Sequence, residues 1–174
     1  MLNFFLKIID ALNTLKIPYM LSGSVAMGIY TLPRATRDFD FVVHLQLSDV
    51  EKFTAYFKEG YYCDTDAIKE AITHHSIFNV IDHASGYKAD FVILKNEPFR
   101  QLEFTRRKEI EYLDKKIFVV SAEDLLLSKL IWIQDYQSAV QSEDIKSILS
   151  SGNLDLDYIR EWIDKLSLKT FDLI

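Results

Sequence analysis

The 174-residue chain contains a single cysteine, Cys63. One thiol cannot form an internal disulfide framework, and it cannot supply a cysteine metal cluster. We therefore expect Cys63 to be a small buried apolar residue. Hydrophobic residues make up 49% of the chain and aromatic residues 13%, which is enough to build a real hydrophobic core.

A long uninterrupted hydrophobic run is also missing. No stretch approaches the roughly 18 apolar residues of a membrane span. The apolar residues among the first fifteen follow helical spacing and are interrupted by Lys7 and Asp10, which predicts an amphipathic helix rather than a signal peptide. We expect a soluble, cytoplasmic protein with no membrane partner.

The chain has no excess of positive charge. It carries 20 Lys and Arg against 26 Asp and Glu, for a formal net charge of −6. This balance argues against a broad basic surface that coats nucleic acid. An enzyme that grips one end of an RNA through a local patch is still compatible with it. The run Arg106-Arg107-Lys108 is the best candidate for such a patch, although runs of this kind are more often solvated loops.

The apolar periodicity predicts an α/β core over residues 1–120 and a helical extension over residues 121–174, packed on the core. Residues 61–75 are ambiguous, with a helix over 64–73 as one option. The predicted helices cover 2–15, 25–30, 48–60, 98–105, a segment that begins at Ser121, 142–149 and 156–166. Two of them begin with a capping signal: Ser48 with Glu51 forms a capping box, and Ser121 has Asp124 at the capping-box position. The predicted strands cover 19–21, 38–45, 76–81, 87–94, 109–113 and 116–120.

Three aspartates lie in predicted strands. Asp38 and Asp40 point to the same side because side chains alternate along a strand, and Asp90 interrupts the apolar run 89–94, where an unpaired acid is costly. Neighbouring carboxylates repel one another, and Mg²⁺ held by carboxylates and substrate phosphates relieves that repulsion. The alternative is that Asp38 and Asp40 form the solvated face of an edge strand. The three acids together favour a metal site for phosphoryl chemistry.

A glycine turn, Ser22-Gly23-Ser24, joins the first predicted strand to a helix. Backbone N–H groups at a helix N-terminus, together with the Ser24 hydroxyl, can hold phosphate groups. A turn from strand to helix also needs glycine merely to adopt a positive φ. The turn alone leaves both interpretations open.

Together these residues resemble the nucleotidyltransferase superfamily that includes DNA polymerase β. The pattern of that superfamily is Gly followed by Gly or Ser, a spacer, Asp-apolar-Asp or Glu, and later a single acid between apolar residues. Here the matching residues are Gly23-Ser24, a spacer over 25–37, Asp38-Phe39-Asp40 and Asp90. The resemblance implies an α+β nucleotidyltransferase fold, with a mixed β-sheet flanked by helices and a C-terminal helical extension.

A finer resemblance is to small prokaryotic toxin nucleotidyltransferases of the AbiEii type. That branch carries Arg-x-Thr-x-Asp-x-Asp, which here is the segment 34–40, and a helix that begins Ser-x-Glu-Asp-Leu with a lysine one turn later, here 121–125 and Lys129. The resemblance covers residues 19–150. Many relatives of this type are longer and have a sizeable acceptor-binding domain, so the acceptor of this chain could be small or presented by a partner.

The resemblance implies transfer of a nucleoside monophosphate from an NTP to an acceptor hydroxyl, with release of pyrophosphate. Asp38, Asp40 and Asp90 would be the catalytic residues. Asp38 and Asp40 would bind Mg²⁺ or Mn²⁺, and Asp90 would help to bind a second ion or would activate the acceptor hydroxyl. The nucleotide-binding residues implied by the resemblance are Ser22, Gly23, Ser24, Arg34, Arg37 and Lys129. The two arginines and the lysine would neutralise charge on the departing pyrophosphate, although Arg34 or Arg37 could instead touch an acceptor, and Lys129 could simply extend into solvent.

The acceptor and the biological role stay open. The leading hypothesis is a toxin–antitoxin or phage-defence protein that modifies a tRNA or a protein and has a cognate antitoxin as partner. A second hypothesis is an enzyme resembling those that modify aminoglycoside or lincosamide antibiotics, because a compact tail and an acidic balance suit a cationic small acceptor. A third is a non-catalytic nucleotide-binding or partner-binding module, against which the intact set of acids argues.

Overall fold

The computed structural model of the chain describes residues 1–136 and 138–174. Its helices are α1 (Leu2–Thr14), α2 (Gly23–Tyr30), α3 (Val50–Tyr56), α4 (Thr65–His74), α5 (Pro98–Thr105), α6 (Ala122–Trp132), α7 (Ala139–Ser150) and α8 (Leu156–Lys165). Its strands are β1 (Tyr19–Ser22), β2 (Asp38–Val43), β3 (Tyr61–Tyr62), β4 (Ile77–Asp82), β5 (Lys88–Ile93), β6 (Lys108–Tyr112) and β7 (Lys115–Val119). In the residues described, no helix is long and apolar enough to cross a membrane.

The strands form one mixed sheet in the order β3-β4-β5-β2-β1-β7-β6. Strand β2 runs parallel to β5, and β1 runs parallel to β7, whereas the other neighbouring pairs are antiparallel. The predicted class, a mixed sheet flanked by helices, is confirmed. Strand β2 lies between β5 and β1, so Asp38 and Asp40 belong to a central strand, and the edge-strand alternative for these two residues was wrong.

One side of the central strands is sealed by aromatic rings. Phe41 and Phe91 point to this side, and the Phe91 ring centroid lies 5.5 Å from Phe41, 4.9 Å from Phe78 and 5.4 Å from Phe53 of α3. Helix α1 packs over the same layer, where the ring of Phe5 lies 5.3 Å from that of Phe39. Because side chains alternate along β2 and β5, the polar residues of both strands face the opposite side of the sheet.

The C-terminal helices share one buried cluster with the sheet. Leu126, Leu127 and Leu130 of α6 are fully buried, as are Ile145 of α7 and Ile159 of α8. Helix α6 is buried on most of its sides, because α2, α7 and α8 pack against it. The division of the chain into a core and an extension is still a prediction.

Two local predictions needed correction. The expected capping box of Ser48 and Glu51 is wrong, because a short 3₁₀ helix at Leu47–Asp49 precedes α3, and Gln46 forms the box with Asp49 instead. Cys63 is half-buried rather than buried, and burial still raises the pKa of its thiol to about 12.

We expect Phe91→Ala to lower the free energy of unfolding by about 3–5 kcal/mol, because the substitution opens a cavity among three packed rings. The matched control is Ile77→Ala on β4, where the side chain is 54% exposed and the loss should stay within about 0.5 kcal/mol. Urea denaturation of both variants gives the comparison. Similar losses in the two variants would show that the aromatic layer is not the main support of the sheet.

Candidate active site

The three predicted carboxylates lie on the same side of two adjacent strands. Parallel pairing of β2 with β5 sets Asp40 directly beside Asp90 and sets Asp38 beside Lys88. The carboxylates of β2 and β5 therefore extend over the half-exposed side of the sheet, away from the aromatic layer. The sequence pattern predicted that Asp38 and Asp40 share a side, and the strand pairing adds Asp90 to them.

Asp40 has the least favourable electrostatic position of the three. Burial raises the pKa of the Asp40 carboxyl above its ordinary value of 3.8, and the nearby charges of Asp90 and Asp38 raise it further. Lys129 and Lys88 act in the opposite direction without cancelling the rise. A half-buried carboxylate with two like-charged neighbours is a group to which a cation would bind favourably.

Lys88 is a member of this cluster that the sequence interpretation did not identify. Its ammonium Nζ lies 2.8 Å from Oδ2 of Asp90, and hydrogen bonding to that carboxylate raises the pKa of Lys88. The alternation rule that placed Asp38 beside Asp40 also applies to Lys88-Ala89-Asp90, so this signal was present in the sequence.

The glycine turn lies against the carboxylate of Asp40. Gly23 begins α2 with a φ of +63°, and a Cβ atom at this position would overlap the Asp40 carboxylate. Ser22 is the N-cap residue of α2, and its side chain makes no capping hydrogen bond. Position 23 therefore requires glycine for two reasons: the positive φ and the close approach of the backbone to Asp40.

Arg34 and Lys129 meet at a residue that the sequence interpretation missed, Asp144 of α7, and Arg34 also reaches Ser24. Arg34 donates to Asp144 from Nε at 3.0 Å and from Nη2 at 3.1 Å, and Nη2 also donates to Oγ of Ser24 at 2.5 Å. Lys129 Nζ donates to Asp144 Oδ2 at 2.7 Å, and the side chains of this pair are only 7% and 4% exposed.

The charge network of Asp144 sets the pKa of its carboxyl. Burial by itself would raise that pKa, but the hydrogen bonds from Arg34 and Lys129 outweigh burial and hold it below the ordinary value. The contacts of Ser24, Arg34, Lys129 and Asp144 thus join the glycine turn, the loop before β2 and helices α6 and α7. Lys129 does not extend into solvent, so that alternative was wrong.

Arg37 lies apart from this network. In the residues described, no ion pair or hydrogen bond joins its side chain to the other predicted site residues. Arg37 lines a separate cavity of about 270 Å³ with Ser85, Gly86 and Tyr87, at the turn between β4 and β5. Its predicted role in nucleotide binding is still a prediction.

Two residues of the basic run 106–108, Arg106 and Arg107, make contacts within the protein. Arg106 Nε donates at 3.0 Å to Asp124, a fully buried carboxylate that also accepts from the Tyr158 hydroxyl at 2.6 Å. The guanidinium of Arg107 lies 4.3 Å from the ring centroid of Phe104. Arg106 and Lys108 are exposed all the same, so a contact of this run with RNA is still a prediction.

The chemical type of the groups at this site, carboxylate oxygens, fits a divalent cation. Carboxylate oxygens are the ligands that Mg²⁺ takes in proteins, and the crowding of like charge around Asp40 is relieved when a cation is bound. Within residues 1–136 and 138–174, no group of three or more His, Cys, Asp or Glu side chains is arranged to share one metal ion. The metal role of Asp38, Asp40 and Asp90 is still a prediction.

Comparison with protein-family profiles matches none, and comparison with curated protein sequences also matches none. Solved structures do match. The lincomycin-bound lincosamide antibiotic adenylyltransferase LnuA is 18% identical, with a TM-score of 0.59 over 85% of this chain and 96% of that chain. ANT(2'')-Ia in complex with adenylyl-2''-tobramycin is 11% identical, with a TM-score of 0.61 over 95% of this chain and 97% of that chain.

A third similar structure is a nucleotidyltransferase-fold protein from Thermotoga maritima, TM1012. It is 14% identical, with a TM-score of 0.54 over 94% of this chain and 92% of that chain. At these identities the likeness concerns the fold. The chain has the nucleotidyltransferase fold, as its glycine turn and acid pattern predicted.

We expect Gly23→Ala to lower stability more than Gly60→Ala. Both glycines have positive φ, so both substitutions add backbone strain of about 1 kcal/mol or more. Only at Gly23 does the added Cβ also meet a carboxylate, since the space around Gly60 is open. Thermal melting of the two variants measures the difference, and equal Tm values would mean that the backbone does not pack against Asp40.

We expect Asp40→Asn to raise Tm at pH 7 in buffer with EDTA. The folded chain holds the Asp40 proton more tightly than the unfolded chain does, so this group lowers stability as the pH rises above 3.8 and the cost is complete above its folded pKa. The gain should therefore disappear as the pH falls below 3.8. The control is the exposed Asp164→Asn on α8, and a gain equal to that of the control would contradict the assigned electrostatics.

Proposed function

We propose that this chain transfers a nucleoside monophosphate from an NTP to an acceptor hydroxyl and releases pyrophosphate. The observation that carries the proposal is the contact of the Gly23 turn with Asp40, which joins a helix N-terminus to a row of carboxylates. The N-terminus of a helix favours phosphate, and carboxylates favour the cations that accompany triphosphates. The nucleotidyltransferase fold of the chain supports the same reaction class.

The nucleotide would bind with its triphosphate at the start of α2. The backbone N–H groups of the first turn and the uncommitted Ser22 side chain would donate hydrogen bonds to the phosphates. Arg34 and Lys129 are held beside this turn through Asp144, and their positive charges would compensate the charge that develops on pyrophosphate.

Asp38 and Asp40, with Asp90 beside them, would hold Mg²⁺ or Mn²⁺. The bound ion supplies Lewis-acid polarisation of the phosphate oxygens and screens the negative charge of the reactants. In the transfer itself, a bond forms between the acceptor oxygen and the α-phosphorus while the bond from the α-phosphorus to the bridging oxygen breaks. The hydroxyl proton passes to the carboxylate of Asp90, and the electron pair leaves with pyrophosphate.

A small cationic molecule is the acceptor class that we favour. The chain shares its fold with LnuA and ANT(2'')-Ia over 96% and 97% of their lengths, and those two structures are named with the antibiotic lincomycin and with adenylyl-2''-tobramycin. Its net charge of −6 also suits a cationic acceptor.

A toxin acting on tRNA or protein, with an antitoxin partner, is the second candidate. It is supported by the Arg-x-Thr-x-Asp-x-Asp segment over 34–40 and by the lysine-bearing helix α6.

The test incubates the protein with each α-labelled NTP and Mg²⁺, together with aminoglycosides and lincosamides, total tRNA, or the protein fraction of a cell extract. We expect label on a small cationic acceptor, and we expect Asp40→Asn to reduce its rate by a factor of about 100 or more. Asp164→Asn is the matched control and should retain the wild-type rate.

The three acceptor fractions separate the candidate functions. Label that appears only in tRNA or protein, and that depends on Asp40, would favour the toxin candidate over the small-molecule one. Transfer by Asp40→Asn at the wild-type rate would reject the assigned site. Nucleotide binding without transfer to any fraction would favour a non-catalytic module.

A further inference from the structure

Lys88 occupies a special position in the row of carboxylates. It lies on the same side of β5 as Asp90, and its strand neighbour across the pairing of β2 with β5 is Asp38. Its ammonium contacts Oδ2 of Asp90 at 2.8 Å, while its charge also acts on Asp40. Lys88 is thus a positive group built into the strand, within reach of all three acids.

The other lysine near these acids is committed elsewhere. Lys129 donates to Asp144 at 2.7 Å and to Gln141 at 3.3 Å. Lys88 is therefore the ammonium that directly pairs with the acid row. In the described residues, Asp38 and Asp40 then have no ion pair of their own, and one or two carboxylates are what a single Mg²⁺ takes beside substrate phosphates.

We propose that Lys88 takes the place of a second divalent cation, so that the chain binds one ion at Asp38 and Asp40 while Lys88 holds Asp90. This inference rests on the proposed metal-dependent transfer. Lys88 acts here as a positioning residue. Its ammonium fixes Asp90 at one oxygen and directs that carboxylate toward the acceptor hydroxyl rather than toward a metal ion.

Whether Asp90 is held by an ammonium or by a divalent ion matters for the site, because the two cations differ in charge and in the geometry of their contacts. Mg²⁺ requires six oxygen ligands at about 2.0–2.1 Å, whereas an ammonium donates hydrogen bonds over longer distances. With Lys88 hydrogen-bonded to Asp90, the electrostatic attraction of that carboxylate for a further cation is reduced. Removal of the ammonium should restore this attraction and admit a second ion.

The test counts Mn²⁺ by electron paramagnetic resonance, using the 174-residue protein with an equimolar α,β-methylene nucleotide analogue. We expect one ion per chain for the wild type and for Lys88→Arg. We expect two ions per chain for Lys88→Met, with a spectrum broadened by coupling between ions about 4 Å apart. Lys116→Met on β7 removes a 2.8 Å ion pair with Glu109 of β6. Strand β1 separates β7 from the strands that carry the acids, so this variant should still bind one ion.

A second measurement requires no nucleotide. In EDTA, Lys88→Met should lower Tm by about 2–4 °C, because Asp38, Asp40 and Asp90 lose their counter-charge. Addition of Mn²⁺ should restore the Tm of this variant. Lys116→Met should show no recovery with Mn²⁺.

The outcomes distinguish this inference from the function on which it rests. Two ions in the wild type, or one ion in Lys88→Met, would overturn the role of Lys88 and leave metal-dependent transfer intact. No bound ion in the wild type would overturn both. If Lys88→Met does not fold, the stoichiometries of the wild type and Lys88→Arg still decide, because the inference requires one ion in each.

Discussion

The crowding of three carboxylates on adjacent parallel strands is the constraint on which the rest of the site depends. Pairing of β2 with β5 fixes Asp40 beside Asp90, and partial burial weakens the screening of their charges by water. Three neighbouring features oppose this repulsion. Lys88 contacts Asp90 directly, and Lys129 acts on Asp40 from α6. The N-terminus of α2 adds the positive end of a helix dipole.

Asp144 is the reason that the C-terminal helices form part of the site. Without it, Arg34 would keep only its hydrogen bond to Ser24, and Lys129 would be a buried ammonium without a contacting carboxylate, which is strongly unfavourable. Its carboxylate accepts from both and thereby links α7 to the glycine turn through Ser24. The positive groups available to a triphosphate are thus held in place by a helix that lies more than a hundred residues later in the sequence than the turn itself.

The parts of the site that the sequence predicted are those set by local rules. Alternation along β2 placed Asp38 and Asp40 on one side, and the turn chemistry marked Gly23. Contacts set by strand order and helix packing could not be predicted in the same way. The pairing of Asp38 with Lys88 depends on β5 lying next to β2, and Asp144 reaches Arg34 only after α7 packs on α2 and α6. The capping box at Ser48 failed for a local reason, because a 3₁₀ helix begins at Leu47, one residue before the start of the predicted helix.

The aromatic layer explains how the sheet tolerates its charged side. Stacking of Phe91 on Phe78 and Phe41 stabilises the strands from the opposite face, so the backbone beneath the acids stays fixed despite their repulsion. Asp40 itself lowers stability at neutral pH, since its raised pKa means that the folded state disfavours the charge. A neutral amide of the same shape would remove that cost. Asp40 is therefore unfavourable for the fold, and it is held on a rigid strand against Gly23, which cannot be substituted without overlap. Its presence is better explained by binding than by stability.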